Sequence, residues 1–188
     1  MGRWAPGSRG RLERAAMELY AEHGFEATTV AAIADRAGLT ERTFFRHFAD
    51  KREVLFQGSS LLQELLVREV QDADAALAPV EAVVAALQAA AVGFFDADAE
   101  RPRFRQAIID ASPELQEREL IKLATLATAV AGALRERGVG EPADRLAAEA
   151  GIAVFRVAFE AWVREPGDHT LSWWIRTSAD ELRGTLGG

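Results

Sequence analysis

The chain of 188 residues has no cysteine, one tyrosine and two methionines. The first absence excludes disulfides, thiolate metal sites and thiol catalysis together. No run of about 18 uninterrupted apolar residues occurs, so no segment reads as a membrane span. Met1 to Ser8 lack the continuous apolar core of a signal peptide, and a cytoplasmic location is expected. Strand-like alternation is nearly absent. Of histidines there are three, His23, His47 and His169, at no spacing that suits a metal, so no metal and no cofactor is expected. Asp96, Asp98 and Glu100 read as a solvated helix end. No Gly-rich phosphate loop follows a strand, and no acid, base and nucleophile cluster together, so no enzyme is expected.

What is present is the make-up of a soluble globular chain, 49% hydrophobic and 27% charged, long enough for one domain and a small module. The net charge of −7 is unevenly spread. Residues 1–55 hold nine Arg or Lys against eight Asp or Glu, a net of +1, and the remainder holds thirteen against twenty-one, a net of −8. An acidic body repels a polyanion, so any nucleic acid must be met by the first third.

Helical spacing runs through the whole chain, and the expected fold is all-α with about nine helices. Leu12, Ala15, Ala16, Leu19 and Tyr20 repeat at helical intervals up to Gly24. Val30, Ile33, Ala34 and Ala37 make a second short stripe, closed by Gly38, and a third helix carries Phe44 and Phe48 one turn apart. Asp50-Lys51-Arg52-Glu53 resembles a capping box and predicts one long helix to about Ala78. Ser112-Pro113, Glu141-Pro142 and Pro166-Gly167 punctuate the later helices. Three regions are expected: a loose arm over 1–10, a helix-turn-helix domain over 11–56, and a helical ligand-binding and dimerisation domain over 57–188.

The segment from Thr28 to Phe48 carries the chemistry. Gly38 permits a tight bend, Thr40 caps the following helix, and Leu39 and Phe44 form a hydrophobic staple that fixes its entry angle. This is helix-turn-helix spacing, in which the second helix enters the major groove. At 100° per residue Phe44 and Phe48 point to the core, and Arg42, Thr43, Phe45 and Arg46 point away. Arg42 suits the bidentate O6/N7 edge of guanine, and Thr43 and Phe45 suit thymine methyls. Thr28 and Thr40, as helix caps, and Lys51, at the head of the next helix, are expected to meet phosphates.

Three runs of letters resemble the DNA-binding domain of TetR-family regulators over residues 11–56. They are Gly24-Phe25-Glu26-Ala27-Thr28-Thr29-Val30, Ile33-Ala34-Asp35-Arg36-Ala37-Gly38-Leu39-Thr40, and Thr43-Phe44-Phe45-Arg46-His47-Phe48 with Lys51. The resemblance implies a homodimer that represses transcription from a double-stranded operator until a small molecule binds. It also implies that Thr28, Thr40, Arg42, Thr43, Phe45, His47 and Lys51 stand at DNA-contacting positions. A phosphate contact by His47 rests on the resemblance alone. This chain has Phe45 where the family usually has Tyr, and Arg42 where a small residue is common. The other reading of the same fold is a protein–protein interaction module that does not bind an operator.

In the body, Phe94, Phe95, Phe104, Phe155, Phe159 and Trp162 are expected either to line a pocket for a small hydrophobic effector or to fill a solid core. Arg101, Arg103 and Arg105 are candidates for an anionic head group, or ordinary surface charge. Two apolar stripes share the helix over 143–163. Ile152, Phe155, Phe159 and Trp162 are expected to face the interior, and Ala147, Gly151, Val154, Ala158 and Ala161 a second protomer. Leu171, Trp174, Ile175 and Leu182 are expected to complete that two-fold interface, with recognition helices about 34–36 Å apart.

Overall fold

The computed structural model describes residues 7–95, 99–165 and 167–186. Asp96, Asp98, Pro166 and residues 1–6 of the expected arm lie outside the described residues. Nine α-helices and no strand occur among those described, and none of the helices is long and apolar enough to cross a membrane.

The chain divides into two compact units, Met1–Gly58 with Phe104–Glu119, and Ser59–Arg103 with Leu120–Gly188. In the first, α1 (Ser8–His23) buries Leu12, Ala15, Ala16, Leu19 and Tyr20 along one face and stops at Gly24, whose φ of 79° favours glycine. The short helices α2 (Val30–Arg36) and α3 (Glu41–His47) cross α1. Their core of Phe25, Ile33, Phe44 and Phe48 extends to Val54, Leu55, Phe56, Ile108, Ile109 and Leu115.

The long helix expected from Asp50 to Ala78 does not form. Asp50 accepts from the backbone N–H groups of Arg52 and Glu53, nucleating only a 3-10 turn over Arg52–Val54. Val54, Leu55 and Phe56 are all buried in the core of the first unit, and Gly58, a poor helix former, closes the turn that follows them. The next helix, α4 (Ser59–Asp72), begins after Gly58.

In the second unit α5 (Pro79–Phe94) packs against α4, α8 (Ala143–Arg164) and α9 (Leu171–Leu186). Ala82, Val83, Val84, Ala86, Leu87, Ala90 and Ala91 are buried around much of its circumference, as expected of a central helix. Two further helices, α6 (Glu100–Asp110) and α7 (Pro113–Glu136), have residues in both units. The domain expected over 57–188 is therefore not continuous, because Phe104–Glu119 folds with the first unit. Ile108, Ile109 and Leu115 explain why: each is at most 8% exposed in that unit's core. Ser112, just ahead of α7, turns its hydroxyl to Glu26 at 3.0 Å.

The interface expected on α8 and α9 requires correction at six of its eight positions, Trp174 and Leu182 being only half-buried. Ala147, Gly151, Val154 and Ala158 are buried in the protomer's own core, as are Leu171 and Ile175, while Trp174 and Leu182 pack against it. A side chain already withdrawn from solvent in one protomer has no surface left for another. Gly151 shows the fit: a Cβ there would stand 2.3 Å from Val83 Cγ1, so α5 and α8 touch where only glycine fits.

Candidate nucleic-acid interface

The bend between α2 and α3 is built locally. Gly38 adopts φ +64°, Leu39 N–H donates to Ala34 O at 2.8 Å, and Gly38 N–H donates to Asp35 O at 2.9 Å. That paired pattern is a Schellman stop with glycine in the left-handed position. Thr40 then caps α3, its Oγ1 accepting from Thr43 N–H at 3.2 Å and sharing a 3.1 Å hydrogen bond with the Thr43 hydroxyl. Leu39 packs against the cluster holding Phe44, as the staple requires.

Phe44 is fully buried, with its ring 5.3 Å from that of Phe48 and edge-on to that of Phe45 at 5.5 Å. Anchored this way, α3 turns Arg42 and Arg46 to solvent and leaves Phe45 55% exposed. Arg42 has no hydrogen bond or ion pair among the described residues. Arg46 makes only a long 3.5 Å contact with His47 Nε2. By contrast Arg36 is held by Glu22 at 2.8 and 3.0 Å, and Arg52 by Asp50 and Glu114. The Ser8 hydroxyl lies 2.7 Å from His47 Nε2, tying the start of α1 to the end of α3. A half-buried His47 engaged in this way positions the helix.

Two expected phosphate contacts are corrected. Thr28 does not cap α2: it is 2% exposed, and its hydroxyl donates to Gly24 O at 2.8 Å and Leu19 O at 3.3 Å. The cap is its neighbour Thr29, exposed, whose Oγ1 accepts from Ala32 N–H. With adjacent threonines, cap position follows from which one the core claims, and sequence reasoning missed Thr29. Lys51 Nζ donates to the carbonyls of Phe25, Glu26 and Thr28 at 2.8, 3.3 and 2.9 Å, and lies 4.2 Å from the centroid of the Phe25 ring. All three of its protons are spent inside the protein.

Folding also redistributes the charge. Phe104–Glu119 adds Asp110, Glu114, Glu117 and Glu119 to the first unit together with Arg105 and Arg118, so the sequence of that unit holds eleven basic and twelve acidic residues, a net of −1. Several of these acids are matched within the unit: Glu119 with Arg105, Glu114 with Arg52, and Glu53 with Arg118. Burial pulls the Arg105 guanidinium below its ordinary value, and Glu119 opposes that. Arg105 also donates to Leu55 O, so it is a structural cation and not a head-group site. What faces outward for a polyanion is therefore local, the solvent-facing guanidiniums of Arg42 and Arg46 on α3.

Of the six aromatic residues expected at a pocket, four in the second unit form a tight cluster. The rings of Phe95, Phe155, Phe159 and Trp162 meet at 5.7–6.3 Å, and Arg103 donates to Trp162 O with its guanidinium 5.1 Å from the indole. Phe94 is 40% exposed, though its ring stands 6.3 Å from that of Phe95. Phe104, also 40% exposed, belongs to the first unit. No group of three or more potential metal ligands occurs among the described residues.

Residues 13–57 match the family described as bacterial regulatory proteins, tetR family, and residues 77–187 match the MftR C-terminal domain. MftR of Mycobacterium tuberculosis is 30% identical over 153 residues, 80% of this chain and 77% of that protein. The regulator TcmR of Streptomyces glaucescens is 38% identical over 82 residues, 44% of this chain, which span only 36% of its own length. The fold is also that of the SmeT–triclosan complex, with a TM-score of 0.68, 24% identity and coverage of 96% of this chain and 91% of that one. The expected fold class is thus the observed one, and the chain belongs to the TetR family of DNA-binding transcriptional regulators, with a C-terminal domain of the MftR type.

Proposed function

We propose that the protein is a homodimeric repressor that binds a palindromic double-stranded operator and leaves it when a small hydrophobic effector binds the second unit. The observation that carries this reading is the outward face of α3. There Arg42 has no partner among the described residues, and the apolar Phe45 ring is held in solvent by a fully buried Phe44. An exposed aromatic ring among cations suits a major groove, which offers thymine methyls beside guanine acceptors.

In this reading Arg42, Thr43 and Phe45 read base edges, and Arg46, with the capping hydroxyls of Thr40 and Thr29, meets phosphates. His47 orients the helix through Ser8. The effector enters among Phe95, Phe155, Phe159 and Trp162, where SmeT's complex with triclosan offers a parallel for a small aromatic ligand. The site of action is the cytoplasm, and neither a cofactor nor a catalytic step is required.

The test is selection from a random duplex library, followed by titration of the winning sequence across salt. A palindromic site with a steep fall of log K against log salt is expected, at about 0.9 per phosphate neutralised. Failure to enrich any duplex, with a clean dimer in solution, overturns the reading and favours a protein–protein module.

A further inference from the structure

The aromatic cluster of the second unit holds one cation with an unspent donor. Arg103, on α6, lays its guanidinium over the Trp162 indole at 5.1 Å, and its Nη2 donates to Trp162 O at 3.3 Å. That carbonyl is among the last four of α8, which no N–H of the helix reaches, so the contact fixes the guanidinium in place. The Nε–H is buried and meets no acceptor. An N–H withdrawn from water without an acceptor costs free energy, more so on a charged group, and an incoming acceptor recovers that cost.

Carboxylates are not scarce in this unit. The first unit holds twelve of the chain's 29 acids and eleven of its 22 bases, which leaves the second with seventeen acids against eleven bases. Arg135, Arg164 and Arg183 are each paired with one of them. Arg103 has no carboxylate partner among the described residues. Its company is aromatic instead: Phe95 and Phe159 stand 6.3 and 5.7 Å from the same indole, with Phe155 against both. All three phenylalanines are only half-buried. Open ring surface and a cation with a spare donor thus adjoin one side chain.

We infer that the effector is an amphipathic anion, a planar aromatic body bearing a carboxylate, and that Arg103 selects it. This deepens the effector site proposed above and rests on it. The indole engages the face of the guanidinium, so the in-plane N–H groups are left for an acceptor. A carboxylate matches that planar fork and adds charge to the bond, which a neutral amide does not. Because Trp162 already holds the guanidinium, little further ordering is needed on binding. The aromatic body then lies against Phe155 and Phe159, stacked or edge-on. A cation of the same shape is turned away by Arg103.

The test compares naphthoate with its neutral amide, alike in shape and different in charge, by isothermal titration calorimetry on the full chain. The wild type is expected to bind the anion at least about tenfold more tightly. Arg103→Met keeps a stem against Trp162 and is expected to abolish that preference. Arg103→Lys keeps the charge without the fork and is expected to retain only part of it. Melting curves check that both variants fold, and the comparison within the wild type needs neither. Equal binding of the two probes by the wild type overturns the anion class and leaves the effector site standing. An undiminished preference in Arg103→Met overturns the role of Arg103. Binding of neither probe overturns the anion and the site among these rings together.

Discussion

The ammonium of Lys51 sits 4.2 Å from the centroid of the Phe25 ring while donating to that residue's own carbonyl at 2.8 Å. It closes the loop between α1 and α2 from inside, and Tyr20 donates its hydroxyl to the Lys51 carbonyl at 2.6 Å to hold the other end. Lys51→Met keeps the stem and removes the donors. The first unit is expected to lose about 1–3 kcal/mol in denaturant melts, with the salt slope of DNA binding unchanged. A slope lower by about 1 would return Lys51 to the phosphate contacts.

Arg42 and Arg46 separate in the opposite sense. Arg42→Ala is expected to weaken the selected operator by about 1–3 kcal/mol and leave non-specific duplex nearly untouched. Arg46→Ala is expected to weaken both alike and to reduce the salt slope by about 0.9. Titrations on specific and scrambled duplexes at three salt concentrations check both.

The adjacent threonines differ in kind. Thr29→Ala removes the α2 cap and is expected to cost about 1 kcal/mol. Thr29→Asn is expected to restore it, since Asn caps well. Thr28→Val keeps the volume and loses the 2.8 Å bond to Gly24 O, for about 0.5–1.5 kcal/mol, and Thr28→Asn is expected to fare worse because the site is buried. Thermal melts of the four variants decide it.

Gly151→Ala tests the contact of α5 with α8. The added methyl would overlap Val83, whose Cγ1 lies 2.3 Å from it, and overpacking of this kind costs about 1–3 kcal/mol. Val83→Ala in the same chain is expected to relieve part of that loss. If Gly151→Ala instead leaves the melt unchanged and splits the dimer, the glycine belongs to the interface after all.

The elements that were legible in the sequence are those fixed within a few residues. Gly38, Thr40, Leu39 and Phe44 interact across at most five positions, and the bend they make follows from local chemistry. Lys51 was misread because its acceptors lie 23 to 26 residues away, beyond any pattern in the letters around it. On α8 the periodicity revealed two apolar stripes and gave no means of ranking them, since both are interior. Phe104–Glu119 joined the first unit through Ile108, Ile109 and Leu115, ordinary apolar residues that announce no partner.

That recruitment has a practical consequence for anyone wishing to borrow the reading head. Cutting the chain after Gly58 would strip away a wall of the small hydrophobic interior and leave Leu55 O without the Arg105 guanidinium that it accepts from. The DNA-reading half is not a detachable cassette. A minimal fragment has to carry the corner between α6 and α7 back to it, spliced through a short linker, before it can be expected to hold its shape.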